Sequence, residues 1–315
     1  MTDLAQFAGR GPTRPVLRYH GGKWRLAPWI IEHFPPHRVY VEPYGGAASV
    51  LLRKPRARGE VYNDLWNRVV DVFRVLRDPV RARALKRLLA LTPFAREEFR
   101  SAAPDAFDTD DIVERARLTI MRAYLGHGSN SPNEFMSTGF RSNSMRSNTT
   151  PATEWMHYPD CIDAFVERLR GVVIESKPAA EVMAGFDAAD TLHYLDPPYL
   201  PETRSPGNPY CTKHMYAHEM TDRDHRALAK VLHGLKGMIV LSGYPSPLYD
   251  RLYRDWRRVE ITALADGALE RTECLWINPA AIAAGATKQL SMFDEPGAVA
   301  SGQPKRPARE RSTHA

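Results

Sequence analysis

The first 78 residues contain two apolar runs, which predict strands, followed by an amphipathic segment, which predicts a helix. Residues 38–46 (RVYVEPYGG) form a β-rich run that ends in two glycines, and residues 59–64 (GEVYND) form a second run that ends in an acid. Residues 65–78 carry apolar side chains at the three- and four-residue spacing of one helix face. This order predicts the beginning of an α/β domain.

The same alternation returns after residue 165. Apolar runs predict strands at 172–176, 191–196, 237–243, 257–264 and 273–278. Residues 221–235 predict a helix that begins with a capping box from Thr221 to Asp224. We therefore predict one α/β core built from two separate parts of the chain, 16–78 and 166–280.

The remaining segments differ from this pattern. Residues 79–165 predict a helical insert, within which residues 129–153 are mostly Ser, Asn and Thr, as is typical of a surface loop. The polar residues 1–15 predict a flexible N-terminus. Residues 281–315, rich in Ala, Gly, Pro, Ser and Arg, predict a disordered tail.

Composition narrows the class of protein. The three cysteines lie far apart and lack the spacing of a thiolate metal site, so we expect neither a disulfide scaffold nor a bound metal. No apolar run reaches the roughly 18 residues that span a bilayer, and no secretory signal is visible, which predicts a cytoplasmic protein without a membrane partner. The net charge of +6 permits a polyanionic partner.

The most informative chemical motif is Asp196-Pro197-Pro198-Tyr199, which directly follows a predicted strand. In open α/β sheets, ligands bind beyond the carboxyl ends of the strands. The two prolines stiffen the backbone and remove two N–H donors, so the loop presents acceptors beside an aromatic ring. That combination suits a planar ligand with an amino group, such as adenine, although the same residues also suit a plain turn with a packed tyrosine.

Three further motifs carry weaker signals of the same kind. In VEPYGG (41–46), the glycines let a ligand approach the backbone, and Glu42 can accept a hydrogen bond from an ammonium group. Asp64 ends the next strand about 20 residues later, where nucleoside-binding folds place an acceptor for ribose hydroxyls, and it can equally cap the following helix. Before both, a glycine turn carries Tyr19, which can stack, and Lys23, which can reach a carboxylate.

Taken in order, GGK, EPYGG, ND and DPPY resemble the D12 class of S-adenosylmethionine-dependent DNA adenine-N6 methyltransferases, the group that includes the Dam enzymes. The resemblance covers about residues 16–278. It implies a Rossmann-like methyltransferase core with a mixed, mostly parallel seven-stranded sheet, and a target-recognition insert at 79–165. It further implies a DNA-associated bacterial enzyme, and we expect a solitary enzyme of phage type.

The resemblance also implies roles for individual residues. Asp196 and the Pro197 carbonyl accept hydrogen bonds from the adenine N6, Pro198 completes the catalytic loop, and Tyr199 stacks on a base that has flipped out of duplex DNA. S-adenosylmethionine is the implied cofactor. The residues implied to bind it are Tyr19, Lys23, Glu42, Pro43, Tyr44, Gly45, Asp64 and Asp196.

Two departures from the family pattern limit this transfer of roles. Pro178 stands where relatives carry an acid near the cofactor adenine, so no side chain is assigned to that ring. The insert also lacks the segment that relatives specific for GATC carry. Asn pairs well with adenine edges and Arg with guanine, so the candidate DNA contacts are Arg141, Asn143, Arg146 and Asn148.

Residues 289–293 (QLSMF) resemble the pentapeptide by which bacterial proteins bind the replication sliding clamp. In this interpretation Leu290, Met292 and Phe293 fill an apolar pocket, while Gln289 forms hydrogen bonds at its rim. A chance match, or a segment that packs on the core, is the alternative.

Two other functions remain open at this point. The chain can be a DNA-binding relative without turnover, which the intact DPPY motif disfavours. It can also be an amino-methyltransferase that acts on RNA or on cytosine N4, and Asp rather than Ser before Pro-Pro-Tyr argues against cytosine.

Overall fold

A seven-stranded sheet forms the centre of the protein. The computed structural model describes residues 11–133, 138–142, 150–204, 215–264 and 270–293, with backbone alone for 264 and 287–293. The strands are β1 (Val39–Glu42), β2 (Gly59–Asn63), β3 (Val172–Glu175), β4 (Thr191–Leu195), β5 (Met238–Gly243), β6 (Arg257–Leu264) and β7 (Glu270–Ile277). Their order in the sheet is β3-β2-β1-β4-β5-β7-β6.

The strand directions match the predicted mixed sheet. The five strands from β3 to β5 are parallel, and β7 runs antiparallel to both β5 and β6. The order reverses between β1 and β4, because the chain leaves β1 toward β2 on one side and β4 toward β5 on the other. Such a reversal opens a crevice at the carboxyl ends of the two strands, where α/β proteins bind ligands.

Helices pack on both faces of the sheet. They are α1 (Ala27–Glu32), α2 (Ser49–Arg53), α3 (Asn67–Arg77), α4 (Pro79–Leu91), α5 (Arg96–Ser101), α6 (Ile112–Leu125), α7 (Pro151–Met156), α8 (Ile162–Leu169), α9 (Ala179–Gly185), α10 (Pro201–Arg204), α11 (Asp222–Gly234), α12 (Pro247–Leu252) and α13 (Pro279–Phe293). Helix α11 begins with the predicted capping box between Thr221 and Asp224.

The helical insert and the sheet share one hydrophobic core. Phe73 of α3, Leu118 and Met121 of α6, and Phe165 of α8 belong to the same buried cluster. The predicted surface loop also contributes, since the Phe140 ring packs against Phe94 with 5.0 Å between ring centroids. The insert is therefore fixed to the core by packing along its length.

Both ends of the described chain are more ordered than we expected. Arg14 lies over the rings of Tyr124 and Tyr158, and the Pro15 carbonyl accepts a hydrogen bond from the Tyr124 hydroxyl, so the flexible start does not include these two residues. Helix α13 occupies 279–293, where the tail was predicted to begin at 281. Its alanine-rich sequence has high helix propensity.

Candidate functional site

A cavity of about 400 Å³ opens at the carboxyl ends of β1 and β4. This volume lies within the range of small-molecule sites. All four sequence motifs reach its wall. Residues from these motifs that line the cavity are Tyr19, Gly21, Gly22, Lys23, Glu42, Pro43, Tyr44, Gly45, Gly46, Asp64, Asp196 and Pro198. The structure therefore brings together residues that are up to 179 positions apart in the chain.

The glycine turn after β1 has room for no side chain at its tightest point. A Cβ atom on Gly45 would collide with the Tyr62 ring, and Gly46 has a φ of +46°, which disfavours other residues. The Gly46 N–H donates to Asp64 Oδ2 over 2.9 Å, and the Gly46 carbonyl accepts from the Tyr62 hydroxyl over 2.8 Å. These two hydrogen bonds fix the glycine turn in the wall of the cavity.

Asp64 has a structural role as well as a place on the cavity wall. Its second oxygen, Oδ1, accepts a 2.8 Å hydrogen bond from the N–H of Trp66, the residue that precedes helix α3, and so fixes the turn before the helix. Burial raises its pKa, and the backbone N–H donors from Trp66 and Gly46 partly offset the effect. The interpretation as an acceptor at the site is compatible with this geometry, whereas the predicted N-cap role is wrong, since the N-cap of α3 is Trp66, whose side chain forms no capping hydrogen bond.

Asn63, which was not predicted as a site residue, joins two of the loops that form the cavity. Its fully buried side chain donates from Nδ2 to the Pro43 carbonyl over 2.9 Å and to the Lys177 carbonyl over 3.0 Å. Its Oδ1 accepts from the Lys177 N–H over 2.9 Å. An asparagine at the end of a strand, beside an acid, was the available signal. Pro178, which replaces the expected acid, follows directly and lines the cavity.

Lys23 and Asp196 form a buried ion pair at the base of the cavity. The ammonium lies 3.0 Å from Asp196 Oδ1 and donates to the Gly21 carbonyl over 2.8 Å. Burial lowers the pKa of Lys23, but the fields of Asp196 and Glu273 outweigh it, so the ammonium stays charged. Burial raises the pKa of Asp196 despite the neighbouring cation.

Tyr199 is packed behind the cavity wall. It is 5 % exposed, and its hydroxyl donates to Glu273 over 2.9 Å. The Lys23 ammonium lies 4.7 Å from the ring centroid, and the Tyr244 ring meets it edge-on, also at 4.7 Å. Pro197 is buried as well, so Asp196 and Pro198 are the residues of this loop that reach the cavity.

Glu42 has different partners from those we expected. We interpreted it as an acceptor for an ammonium group, yet its Oε2 accepts from the Tyr40 hydroxyl over 2.6 Å and from the Leu51 N–H over 3.0 Å. It is 2 % exposed. Burial raises its pKa to about 8, although both donors act in the opposite direction. The carboxyl group is therefore mostly neutral at pH 7.

The segment 215–220 covers one side of the cavity and was not predicted. Arg204 pairs with Glu219 at 2.8 Å, which fixes the segment to α10. Asn133 of the insert donates to the Met215 carbonyl over 3.2 Å. The wall of the cavity is thus tied directly to the predicted recognition region.

The candidate DNA-binding residues are only partly described. The Arg141 guanidinium pairs with Glu154 at 2.8 Å and is 11 % exposed, so in this structure it faces the protein. Asn143, Arg146 and Asn148 lie outside the described residues. Within the ranges that the structure covers, no three acidic, histidine or cysteine side chains are grouped as metal ligands, and no helix has the length and apolarity to cross a membrane.

Comparison with known proteins identifies the family. A model of the D12 class of N6 adenine-specific DNA methyltransferases matches residues 19–265, which include GGK, EPYGG, ND and DPPY. No curated protein matches the chain. The family match spans most of the chain, and the sheet of this protein has the strand directions expected for the family. The chain therefore belongs to the D12 class of N6 adenine-specific DNA methyltransferases.

Proposed function

We propose that the protein transfers a methyl group from S-adenosylmethionine to the N6 amino group of adenine in a specific site of duplex DNA. The observation that carries this proposal is the buried pair of Lys23 and Asp196 at the base of a cavity within a chain of this family. Methyl transfer to DNA adenine is the activity of the family; the donor, the flipped base and the roles below are our proposals.

The residues of the cavity fit the proposed cofactor. At the glycine turn, Gly45 and Gly46 line the cavity, and Asp64 offers an acceptor for ribose hydroxyls. The residues proposed to hold the cofactor are Tyr19, Lys23, Glu42, Pro43, Tyr44, Gly45, Asp64 and Asp196. Near Pro178 the wall continues with Ala179 and Ala180, so shape and backbone groups would recognise its adenine ring. When bound, the cofactor supplies an electrophilic methyl group.

The DPPY loop is proposed to activate the substrate nitrogen. The lone pair of the adenine N6 is delocalised into the ring, which makes it a weak nucleophile. Asp196 and the Pro197 carbonyl would accept hydrogen bonds from the amino group and favour a pyramidal nitrogen. As positive charge develops on N6, the carboxylate stabilises it, because the acceptor is already in place.

The target base has to leave the duplex to reach this loop, because enzymes cannot reach the amino group inside stacked DNA. Lys23 and Tyr244 already lie against the Tyr199 ring. A base that stacks on Tyr199 therefore has to take the place of one of them. For the insert, we keep Arg141, Asn143, Arg146 and Asn148 as proposed DNA contacts; Arg141 would first have to leave Glu154.

Nucleoside mass analysis of DNA and RNA from an expressing host tests the proposed function. We expect N6-methyladenine in the DNA of a host that otherwise lacks it, none above background in RNA, and none when Asp196→Ala is expressed at the same level. Methylation confined to RNA, or N4-methylcytosine in DNA, would show a different substrate. A soluble protein without any methylation would indicate the DNA-binding relative that lacks turnover.

A second partner is proposed for residues 289–293. The backbone of Gln289, Leu290, Met292 and Phe293 forms the last turns of α13, and their side chains are outside those described. Helix ends open more readily than helix interiors. We propose that these residues bind the bacterial sliding clamp and so bring the enzyme to newly replicated DNA.

A peptide of residues 285–297 tests this partner. It should bind purified clamp and compete with a known clamp peptide, because its apolar side chains would fill the clamp pocket. The same peptide with Leu290→Ala and Phe293→Ala is the control. Equal binding of both peptides, or binding of neither while the known peptide binds, would rule the interaction out.

A further inference from the structure

Glu273 is a buried carboxylate that the proposed mechanism does not use. It is 9 % exposed and lies on β7, beyond the residues 19–265 that match the family. Burying a charged group costs free energy unless partners compensate for the lost water. Its neighbours along the strand, Cys274 and Leu275, are buried and apolar, so packing alone does not account for an acid there.

The antiparallel course of β7 brings Glu273 to the site. Cys274 is paired with Gly243, the last residue of β5, so Glu273 lies beside the carboxyl end of that strand. There it accepts the hydrogen bond from the Tyr199 hydroxyl at 2.9 Å and acts electrostatically on Lys23.

Glu273 is the acceptor at hydrogen-bond distance from the Tyr199 hydroxyl, and Asp196 also acts on that hydroxyl. The ring is covered by Lys23 on one side and by the edge of Tyr244, so it is shielded from water that could replace Glu273. A buried hydroxyl without a partner costs more than the bond itself is worth. The carboxylate consequently determines where the Tyr199 ring lies, and the ring in turn lies beneath the ammonium that contacts Asp196.

We propose that Glu273 is a positioning residue for methyl transfer, which fixes the Tyr199 ring and, through it, the place of Lys23 beside Asp196. This inference rests on the proposed function, since it assigns Glu273 to the same reaction. Glu273 itself contacts neither the cavity nor the reacting atoms; it acts through Tyr199.

Single-turnover rates of three Glu273 variants test the inference. The substrates are tritium-labelled S-adenosylmethionine and DNA from a host without adenine methylation, both at saturating concentration. Glu273→Met keeps the length but cannot accept a hydrogen bond, and should lower the rate about 10- to 100-fold. Glu273→Gln retains an acceptor oxygen and should recover most of the rate. Glu273→Asp withdraws the carboxylate by one methylene and should behave like Met, which keeps the test decisive if the Met variant does not fold.

Two further measurements separate positioning from a general structural role. The dissociation constant for S-adenosylmethionine, from titration calorimetry, should change less than about twofold in the Gln and Met variants, a difference well below 1.4 kcal/mol. In a Tyr199→Phe background Glu273→Met and Glu273→Gln should have equal rates, because no hydroxyl remains to donate a hydrogen bond to the side chain at position 273. Glu270→Met, at the exposed start of the same strand, is the matched control and should keep the wild-type rate.

The outcomes distinguish this inference from the proposed function. An active wild-type enzyme with Glu273→Met and Glu273→Asp at the wild-type rate would overturn the positioning role alone. So would an equal loss of rate from Glu273→Met with and without the Tyr199 hydroxyl. A folded wild-type enzyme that does not methylate DNA would overturn the proposed function, and this inference with it.

Discussion

Two buried ionic clusters lie near opposite ends of the parallel strands of the sheet. At the carboxyl ends, Lys23 contacts Asp196 at 3.0 Å, and Glu273 accepts from the hydroxyl of Tyr199. Near the amino end of β2, Glu60 accepts from Lys54 at 2.7 Å and from Arg168 at 2.6 Å. Both clusters are largely buried, although the Asp196 side chain is 18 % exposed, so burial alone does not tell which of them has a chemical role.

The two clusters differ in the sign of their excess charge and in access. The first has one cation and two carboxylates and reaches the cavity through Lys23 and Asp196. The second has two cations, Lys54 and Arg168, on one carboxylate, and lines no part of that cavity. An excess of acceptors beside a cavity suits a reaction in which positive charge develops. A carboxylate saturated by two cations joins elements, here β2 to α8 and the end of α2.

The pKa values follow the same division. Burial acts to raise the pKa of Glu60, but the hydrogen bonds and charges of Arg168 and Lys54 outweigh it, and the pKa lies below its usual value. At Asp196 burial prevails over Lys23, and the pKa is raised. The carboxylate that we propose to be catalytic is thus held in a less favourable environment than Glu60, as is common at functional sites.

The largest expected effect is on stability and concerns the structural cluster. Glu60→Gln leaves Lys54 and Arg168 buried without their counter-ion and should lower the free energy of unfolding by about 3–5 kcal/mol. Urea unfolding measures this. Glu167→Gln, which removes an exposed pair with Arg170, is the control and should cost less than about 1 kcal/mol. A loss as small as that of the control would contradict a structural role for Glu60.

The pH dependence of stability should reveal the neutral carboxyl of Glu42. Because its pKa rises from the ordinary 4.5 to about 8 on folding, the folded state binds a proton more tightly than the unfolded state. This contribution is fully present below pH 4.5 and is lost as the pH rises to 8, at up to about 1.4 kcal/mol per pH unit. Subtracting the profile of Glu42→Gln isolates it from other carboxyl groups. Parallel profiles would show that Glu42 is ionised in the folded protein.

A smaller effect is expected on cofactor affinity. Asp64→Asn keeps one acceptor oxygen but loses the charge, and should weaken S-adenosylmethionine binding about tenfold, or ~1.4 kcal/mol. Titration calorimetry measures it. Asp78 is a matched control, since it also accepts from two backbone N–H groups but lies away from the cavity. If Asp78→Asn weakens binding as much, the effect comes from the fold and not from contact with the cofactor.

Much of the fold follows from local patterns in the sequence. The strand runs, the helix after β2 and the capping box of α11 depend on residues a few positions apart, and all were predicted. The packing of Arg14 near the N-terminus was missed because its partners, Tyr124 and Tyr158, are more than 100 residues away in the chain. The helix α13 was missed for another reason: we interpreted its alanines as part of a disordered tail, although alanine is the strongest helix former.

Part of the site was predictable from one rule, which says that ligands bind at the carboxyl ends of parallel strands. The family resemblance placed Lys23 at the site, whereas that rule brought together Asp64 and Asp196. It could not find Glu273, because the place of this residue depends on the register of an antiparallel strand. Nor could it show that Tyr199 is packed behind the wall, since a DPPY motif does not reveal what covers the ring.

The most direct measurement compares one substitution in each cluster. Single-turnover rates of methyl transfer to DNA adenine would be measured for the wild type, Asp196→Asn and Glu60→Gln, at a temperature where all three are folded. We expect Asp196→Asn to lose about 10²- to 10³-fold and Glu60→Gln to stay within about twofold of the wild type. An Asp196→Asn rate close to the wild-type rate, or an equal loss in both variants, would contradict the division between a catalytic and a structural cluster.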